Sequence, residues 1–267
     1  MKQISILGCG WLGLPLAKAL VKEGFRVKGS VTTASKIPAL VSHGIEAYTL
    51  EIEETKIVGD IEDFLNASSL LIIAIPPKLK NAVPDSFIQK IKTVLPYVEQ
   101  SSLKNVLFIS STSVYADDNS IVTEATPPMP DTENGKQLVA AETLLKNNAH
   151  FTTTIIRFGG LIGFDRHPVY FLAGKQQLEN PLAPINLIHQ SDCIGIIREI
   201  IAQGKFGETF NAAAPFHPTR KDYYTQKAQA LNLPIPQFDD TKRSVGKTIS
   251  SDKIIRLLDY KFQYQRL

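Results

Sequence analysis

Short apolar runs alternate with longer amphipathic stretches from the first residue to about position 157. The runs are rich in leucine and β-branched residues and lack the polar alternation of a sheet with one wet face, which is typical of parallel strands covered on both sides. Six strands are predicted in this way: 3–7, 26–31, 45–50, 70–75, 105–110 and 152–157. The stretches between them predict four helices, near 12–23, 34–43, 84–100 and 133–148. Thr132 is expected to cap the last of them.

Strands that alternate with helices form βαβ units, so the pattern predicts an α/β fold built on a doubly wound parallel Rossmann sheet. After Arg157 the pattern loosens into a segment rich in proline, glycine and aromatic residues, followed by a helix near 191–203, a strand at 209–213 and a helix-rich end. We expect a Rossmann domain and a smaller C-terminal substrate lobe with these bounds: 1–158 for the Rossmann domain, to which 186–213 returns, and 159–185 with 214–267 for the lobe.

The composition is that of a soluble globular chain. Its 267 residues are 43% hydrophobic and 21% charged, which excludes mainly disordered, collagen-like and coiled-coil proteins. The net charge of +3 is small and evenly spread, so no nucleic-acid or membrane partner is expected. No apolar run approaches the roughly 20 residues that cross a bilayer. Cys9 and Cys193 are too few for a disulfide framework or a metal cluster, so we expect buried thiols, a cytoplasmic location and no metal.

A glycine motif follows the first predicted strand and opens the first helix. Its sequence is Gly8-Cys9-Gly10-Trp11-Leu12-Gly13. In this context Gly8 permits a tight turn, Gly10 lets the backbone approach a pyrophosphate, and Gly13 allows close packing of helix and strand. The amide groups of the helix start, near Trp11 and Leu12, would hold the phosphates. We therefore predict a dinucleotide site; the alternative is a plain structural turn.

The second predicted strand is followed by hydroxyls and a cation instead of an acid. Proteins that bind NAD usually place an acidic residue about 20 residues after the glycines to bind the ribose hydroxyls, but no acid lies between Glu23 and Glu46. Thr32, Thr33 and Lys36 stand there instead and suit a 2′-phosphate better, so NADP is favoured over NAD. The alternative for Lys36 is a solvated residue on the next helix.

Two more loops fall at the carboxyl ends of predicted strands, where open α/β sheets bind ligands. The fourth strand leads into Ala74, Ile75 and Pro76, a rigid turn with few donors that is expected to lie along the cofactor. The fifth strand leads into a run of hydroxyl side chains that begins with Ser110, a further predicted cofactor contact, and ends at Tyr115. Such hydroxyls can bond a substrate carbonyl or alcohol; the alternative is a serine-rich turn that caps its own backbone.

These motifs together resemble the extended and atypical short-chain dehydrogenases/reductases, the NAD-dependent epimerase/dehydratase family, over nearly the whole chain. The resemblance rests on GCGWLG after the first strand, SSTSVY after the fifth, IIRFGGLIGFDRHP after the sixth and NLIHQSDCIGII before a later helix. The glycine and RFGGLIG forms look most like the small YeeZ-like branch. The resemblance implies a Rossmann domain that holds NAD(P), a lobe that binds a small-molecule substrate, and pairing of helices 84–100 and 133–148 into a homodimer.

The same resemblance implies roles for individual residues. Ser111 corresponds to the catalytic serine of the family, and Thr112 lies beside it. Phe158 and Gly159 resemble a segment that runs past the nicotinamide. Three further residues are the predicted substrate contacts: Tyr115, Asn134 and His189.

The chain departs from the family where the proton donor should stand. Active members carry Tyr-x-x-x-Lys on the helix after the serine loop, where the lysine lowers the tyrosine pKa. With Glu142 as the anchor of the match, Asn134 falls at the tyrosine position and Leu138 at the lysine position, and neither can exchange a proton. The one Tyr-x-x-x-Lys in the sequence, Tyr223 to Lys227, is interpreted as a helix surface in the second lobe.

Three functions stay open at this point. The first is an oxidoreductase, epimerase or dehydratase that uses NADP(H) on a small sugar-like, carbonyl or alcohol substrate with a nonstandard proton donor. The second is a non-catalytic redox sensor or regulator that keeps the fold and the cofactor, as NmrA-like proteins do. The third is a partner-binding relic of the fold without a cofactor. Cofactor turnover separates the first two, and cofactor binding separates both from the third.

Overall fold

The computed structural model describes residues 2–77 and 86–267. Its strands are, in chain order, β1 (Gln3–Leu7), β2 (Arg26–Val31), β3 (Glu46–Thr49), β4 (Glu51–Ile52), β5 (Ile57–Val58), β6 (Leu70–Ile73), β7 (Asn105–Ser111), β8 (Ile121–Val122), β9 (Thr152–Phe158), β10 (Gly160–Ile162), β11 (Leu187–His189), β12 (Thr209–Ala212) and β13 (Thr248–Ile249). Its helices are α1 (Gly13–Lys22), α2 (Ile37–Val41), α3 (Ile61–Leu65), α4 (Phe87–Gln100), α5 (Glu133–Lys146), α6 (Val169–Leu172), α7 (Gln190–Gln203), α8 (Arg220–Ala230) and α9 (Asp252–Leu258), with 3₁₀ turns at Ala34–Lys36 and Thr112–Val114.

Seven of the strands form one parallel sheet in the order β12-β9-β7-β6-β1-β2-β3. β1 pairs with β2 on one side and with β6 on the other, so that Ile6 lies opposite both Gly29 and Ile72. The chain builds outward from β1 to β3 in one direction and from β6 to β12 in the other. This reversal is the topological switch point of a doubly wound sheet, where ligands bind at the carboxyl ends of the strands. The predicted fold class is confirmed.

The central strands are buried along their whole length. All five residues of β1 and all four of β6 are buried, as parallel strands with helices on both faces require. α1 contributes a buried stripe made of Gly13, Leu16, Ala17 and Leu20. That spacing of three and four residues places all four side chains on one face of the helix, which packs on the sheet.

Most predicted elements of the sheet are confirmed. β1 and β2 have the predicted bounds, and Thr132 caps α5 by accepting the N–H of Gly135 at 3.1 Å. The fourth predicted strand is shorter than expected, because β6 ends at Ile73 rather than at residue 75. Pro76 and Pro77 follow closely, and proline has no N–H with which to continue a ladder.

Other elements differ from the prediction in detail. The helix predicted over 34–43 is a 3₁₀ turn followed by the short α2, and α4 is described from Phe87 onward. Positions 84 and 85 of its predicted range lie outside the described residues. The sequence did not predict α3, although Asp60 caps it by accepting the N–H of Asp63 at 2.9 Å. Five helical residues are too few to show a helical period.

The chain divides into two compact units. Unit 1 consists of Met1–Ser111, Thr132–Arg157 and Ile197–Thr209. Unit 2 consists of Thr112–Asp131, Phe158–Ile196 and Phe210–Leu267. Unit 2 contains two short parallel ribbons, β10 with β11 and β8 with β13. No helix within the described ranges is long and apolar enough to cross a membrane.

Candidate functional site

The glycine loop connects β1 to α1 through a backbone shape that favours glycine. Gly8 has a φ of +102°, and a Cβ built there would lie 2.8 Å from Ile75 Cγ2. A Cβ on Gly13 would lie 2.2 Å from the carbonyl oxygen of Gly8, well inside the repulsive range. The tight turn and the close packing of α1 on β1 therefore both depend on the absence of a side chain.

Gly10 differs from these two glycines because its surroundings are open. A Cβ on Gly10 would have no described heavy atom within 4 Å, so packing inside the protein does not require glycine there. The N-cap of α1, Leu12, has no side-chain capping bond, and the first turn has no acidic residue. The first N–H groups of a helix carry partial positive charge and need acceptors. These residues fit a pyrophosphate, which needs a close backbone approach and N–H donors.

Ser30, near the end of β2, ties the glycine loop to the sheet. Its Oγ accepts the N–H of Gly8 at 2.9 Å, and its carbonyl oxygen accepts the N–H of Cys9 at 2.7 Å. Burial raises the pKa of the Cys9 thiol to about 12, so the thiol is a poor nucleophile at neutral pH. Cys9 instead packs against Gly29, where a Cβ would lie 2.7 Å from its Sγ.

The carboxyl end of β2 carries exposed polar side chains. Thr32, Thr33 and Lys36 are all exposed, and Lys36 lies in the 3₁₀ turn that follows the strand. Thr33 is the N-cap of that turn, but its hydroxyl makes no capping bond. A phosphate at this position would meet hydroxyls and an ammonium group.

The end of β6 lies beside the glycine loop. The Ala74 N–H donates to the carbonyl oxygen of Leu7 at 2.9 Å, and a Cβ on Gly8 would lie 3.2 Å from the Ala74 carbonyl oxygen. Ala74 and Ile75 are half-buried, and Pro76 is exposed. The structure therefore brings the predicted cofactor contacts of β1 and β6 together at the switch point of the sheet.

The end of β7 is held by a buried cluster in unit 1 that the sequence did not predict. The Ser110 hydroxyl is buried and donates to Glu142 Oε1 at 2.5 Å. Arg157 donates to the same carboxylate, with Nε 3.0 Å from Oε1 and Nη2 2.5 Å from Oε2. We name Ser110, Glu142 and Arg157 the serine anchor. Ser111 follows Ser110 and is half-buried.

In unit 2, several predicted site residues face inward. Thr112 and Tyr115 are buried, and the Tyr115 hydroxyl donates to Asn211 Oδ1 at 2.9 Å. The side-chain nitrogen of Asn211 has no hydrogen-bond partner in the described part of the chain. Phe158 and Gly159 are buried as well, and a Cβ on Gly159 would lie 2.5 Å from a backbone carbonyl oxygen. Tight backbone packing therefore explains this glycine without a ligand.

His189 ends β11 and lies among aromatic rings in unit 2. It stacks on Tyr264 with ring centroids 3.8 Å apart and meets the edge of Phe164 at 5.1 Å. Its Nδ1 accepts the N–H of Ser191 at 3.2 Å, which leaves the proton of the neutral ring on Nε2. Burial lowers the pKa of His189, although Asp192 opposes the shift. In this tautomer the ring offers its Nε2 N–H as a hydrogen-bond donor.

The two positions at which the resemblance implies tyrosine and lysine differ in exposure. Asn134 lies in the first turn of α5 and is exposed, whereas Leu138 is only 4% exposed. Leu138 belongs to the buried stripe of the helix, together with Gly135, Ala141 and Glu142. An apolar core residue thus stands at the position where the resemblance implies a lysine.

The prediction that Tyr223 lies on a helix surface is wrong. Tyr223 is in α8, but it is buried in the apolar core of unit 2, and its hydroxyl accepts from His167 Nε2 at 2.8 Å. His167 Nδ1 accepts the N–H of Val169, and burial lowers the pKa of His167 to about 4. Lys227 Nζ lies 5.9 Å from the centroid of the Tyr223 ring. The phenol is therefore a core residue whose hydroxyl has a hydrogen-bond partner. The sequence of α8 has no clear apolar stripe, so it did not show that Tyr223 faces the core.

The sequence of this chain is similar to a known domain family and to a known protein. Residues 3–127 match the model of the NAD binding domain of 6-phosphogluconate dehydrogenase. The chain is 35% identical to protein YeeZ of Escherichia coli K12 over 99% of its own length and 97% of the relative's.

Solved structures share the fold. UDP-glucuronic acid 4-epimerase of Bacillus cereus, in complex with UDP-glucuronic acid and NAD, has a TM-score of 0.81 at 18% identity, with 98% of this chain and 94% of that chain covered. An NAD-dependent epimerase/dehydratase of Methylobacillus flagellatus has a TM-score of 0.79 at 24% identity, with 99% and 94% covered. These likenesses show that the chain shares the fold of these proteins, and the 35% identity to YeeZ confirms the predicted YeeZ-like branch.

Proposed function

The chain belongs to the family of the Escherichia coli protein YeeZ, and we propose that it binds a nicotinamide adenine dinucleotide on the glycine loop of unit 1. The observation that carries this proposal is the open space at Gly10 beside a start of α1 that no side chain caps. An ordinary turn needs neither feature, whereas a pyrophosphate needs both. The related Bacillus cereus epimerase contains NAD, which supports the same class of cofactor here.

The proposed cofactor site combines the predicted contacts at the ends of five strands, β1, β2, β6, β7 and β9. The glycine loop would hold the pyrophosphate, the end of β2 the adenosine ribose, and the ends of β6, β7 and β9 the nicotinamide half. The residues in this chain order are Gly8, Gly10, Trp11, Leu12, Gly13, Thr32, Thr33, Lys36, Ala74, Ile75, Pro76, Ser110, Phe158 and Gly159. Calorimetric titration with NADPH and with NADH tests the proposal, and no heat of binding with either cofactor would contradict it.

We further propose that NADP is preferred over NAD. Thr32, Thr33 and Lys36 are exposed where a 2′-phosphate would lie, and the sequence has no acid between Glu23 and Glu46. Lys36→Ala is expected to lower the affinity for NADPH at least about tenfold, because a hydrogen bond to a charged group contributes about 1.5–3 kcal/mol, and to leave the NADH affinity unchanged. Lys22→Ala, an exposed lysine at the end of α1, is the matched control. An equal effect on both cofactors would contradict the assignment of Lys36.

The proposed reaction is oxidoreduction, epimerisation or dehydration of a small sugar-like, carbonyl or alcohol substrate. A bound nicotinamide accepts a hydride and can return it. Ser111 and Thr112 would hydrogen-bond the reacting carbonyl or alcohol, and unit 2 would supply most of the substrate lobe. The further substrate contacts in this proposal are those that the sequence predicts: Tyr115, Asn134 and His189. The UDP-sugar bound by the Bacillus cereus epimerase supports a sugar-like substrate.

A second candidate function is a non-catalytic redox sensor or regulator. The specific observation in its favour is Leu138, a buried apolar residue at the lysine position, with Asn134 four residues earlier. Neither side chain can exchange a proton. Oxidation of NADPH with a panel of sugar-like and simple carbonyl substrates separates the two functions. Turnover that Ser111→Ala abolishes supports the enzyme, and tight binding without turnover supports the sensor.

We also propose a cytoplasmic homodimer formed through α4 and α5. A groove of about 660 Å³ lies between these helices in unit 1, and its apolar lining includes Ile88, Leu95 and Leu144. Both cysteines are free and buried, which fits a reducing compartment. Leu95→Glu is expected to give a monomer by light scattering, whereas Lys205→Glu, outside the groove, is expected to leave the dimer intact. A monomeric wild-type protein would contradict this proposal.

A further inference from the structure

Glu142 and Arg157 form an ion pair of a kind found nowhere else in the described part of the chain. Their side chains keep only 5% and 8% of their surface exposed, and each other described pair has a partner that is well exposed. The Ser110 hydroxyl also donates to the same carboxylate, at 2.5 Å. The serine anchor is therefore a buried polar cluster inside unit 1, and the free energy that its desolvation costs needs an explanation.

Stability alone does not explain this cluster. Apolar residues of similar volume are often at least as stable as a buried ion pair. What an Arg–carboxylate pair adds is direction, because the planar guanidinium holds the carboxylate in one plane through two bonds. Glu142 Oε1 is thereby fixed in place, and it accepts the Ser110 hydroxyl. The Ser110 side chain consequently has one defined orientation.

The position of the anchor relates it to the proposed cofactor site. Ser110 and Arg157 are the next-to-last residues of β7 and β9, and both stand at the carboxyl edge of the sheet. In a doubly wound sheet, the strands on the β6 side of the switch point hold the nicotinamide half of a dinucleotide. Side chains alternate along a strand, so fixing Ser110 on the α5 face also fixes Ser111 on the opposite face.

We propose that the serine anchor is a positioning device for Ser111. The Glu142–Arg157 pair holds the Ser110 hydroxyl and thereby fixes the backbone at the end of β7. The fixed backbone directs the Ser111 hydroxyl toward the nicotinamide half of the cofactor. The proposal rests on the proposed cofactor site. Ser110, Glu142 and Arg157 are positioning residues, because their side chains bond one another and act on Ser111 through the strand. The contact proposed between Ser110 and the cofactor would come from its main chain, since its hydroxyl is held by Glu142.

The test compares two ligands that differ only in the nicotinamide. NADPH contains it, and 2′-phospho-ADP-ribose lacks it but keeps the rest of the cofactor. Ser110→Ala, and the double variant Glu142→Leu with Arg157→Met, are expected to weaken NADPH binding about fivefold, the worth of one misplaced hydrogen bond. The affinity for 2′-phospho-ADP-ribose is expected to stay within about twofold of the wild-type value. The double variant removes both charges together, so neither is left buried without its partner.

A matched control uses the exposed ion pair of the same helix. Lys136 and Glu133 lie 4.0 Å apart on the surface of α5, and Glu133→Leu with Lys136→Met repeats the same chemical change there. This control is expected to bind both ligands as the wild type does. Equal weakening of both ligands in the anchor variants, or unchanged NADPH binding in Ser110→Ala, would overturn the proposal. A wild-type protein that binds neither ligand would instead contradict the proposed cofactor site itself.

Discussion

The glycine loop and the start of α5 are the two places where the resemblance implies cofactor chemistry, and they differ in what holds their residues in place. At the loop, a Cβ on Gly13 would overlap the Gly8 carbonyl oxygen, so the backbone itself demands glycine. On α5, Asn134 is exposed and Leu138 fills an apolar stripe, so the backbone demands no particular side chain there. Steric packing thus requires glycine at Gly8 and Gly13, whereas no backbone conformation requires tyrosine or lysine at positions 134 and 138.

The N-termini of α1 and α5 also differ in whether a side chain caps them. α1 begins at Leu12 without a side-chain cap, whereas Thr132 caps α5 by accepting the N–H of Gly135. An uncapped start leaves donors for an external acceptor, and a capped start has satisfied one of them internally. Binding of a dinucleotide and transfer of a proton are therefore separable properties of this fold. The glycine loop fits the first property, whereas Asn134 and Leu138 stand where the resemblance implies the residues for the second.

The largest expected effect comes from breaking the pair that holds α5 to the sheet. Arg157→Met leaves Glu142 buried without its cation, and we expect the free energy of unfolding to fall by about 3–5 kcal/mol. Urea denaturation followed by circular dichroism measures it. Lys136→Met, at the exposed pair of the same helix, is expected to change it by less than about 0.5 kcal/mol. Similar losses in both variants would show that burial of the pair is not what matters.

At the glycine loop, Gly13→Ala tests the steric side of the comparison. The added Cβ would approach the Gly8 carbonyl oxygen to 2.2 Å, so α1 must move away from β1. We expect a loss of about 1–3 kcal/mol in the free energy of unfolding, as for other overpacked sites, together with loss of NADPH binding. A variant as stable as the wild type would contradict the close packing of helix on strand.

Gly10→Ala separates binding from stability within the same loop. No described atom lies within 4 Å of the added Cβ, so the free energy of unfolding is expected to stay within about 0.5 kcal/mol of the wild-type value. The Cβ would occupy the space beside the loop where the pyrophosphate is proposed to bind. The NADPH affinity is therefore expected to fall at least about tenfold, or about 1.4 kcal/mol. Calorimetry measures the affinity. Unchanged binding would mean that the phosphates lie elsewhere.

The smallest expected effect concerns the capped helix start. Thr132→Ala removes the acceptor of the Gly135 N–H and is expected to lower the free energy of unfolding by about 1 kcal/mol. Leu12→Ser, which could add a cap at α1, is the reciprocal variant, and it is expected to weaken NADPH binding because its hydroxyl would compete for the same donors. Tighter binding in Leu12→Ser would contradict the role of the uncapped start.

Features that depend on neighbouring residues in the chain could be predicted from the sequence. The bounds of β1 and β2, the glycine loop between β1 and α1, and the Thr132 cap all follow from short patterns whose physical causes are local. The helix α3 was missed because it is too short to show a helical period. The strand β6 ends earlier than predicted because prolines follow it closely.

Features that depend on distant pairs could not be predicted. Glu142 and Arg157 are 15 residues apart on different elements, and nothing in their spacing shows that both are buried and face each other. The Tyr115 hydroxyl likewise meets Asn211 from 96 residues away. Tyr223 was misplaced for the same reason, because its partner His167 and its apolar surroundings come from other segments.

The central claim is that the glycine loop binds a nicotinamide dinucleotide, and Trp11 offers the most direct measurement. It is the sole tryptophan of the chain, it lies within the loop, and it is half-buried. We would titrate the protein with NADPH and with NADH and follow both Trp11 emission and energy transfer to the reduced nicotinamide. The account predicts saturable quenching that is tighter for NADPH and is weakened in Gly10→Ala. No saturable change with either cofactor, together with no heat of binding, would contradict it.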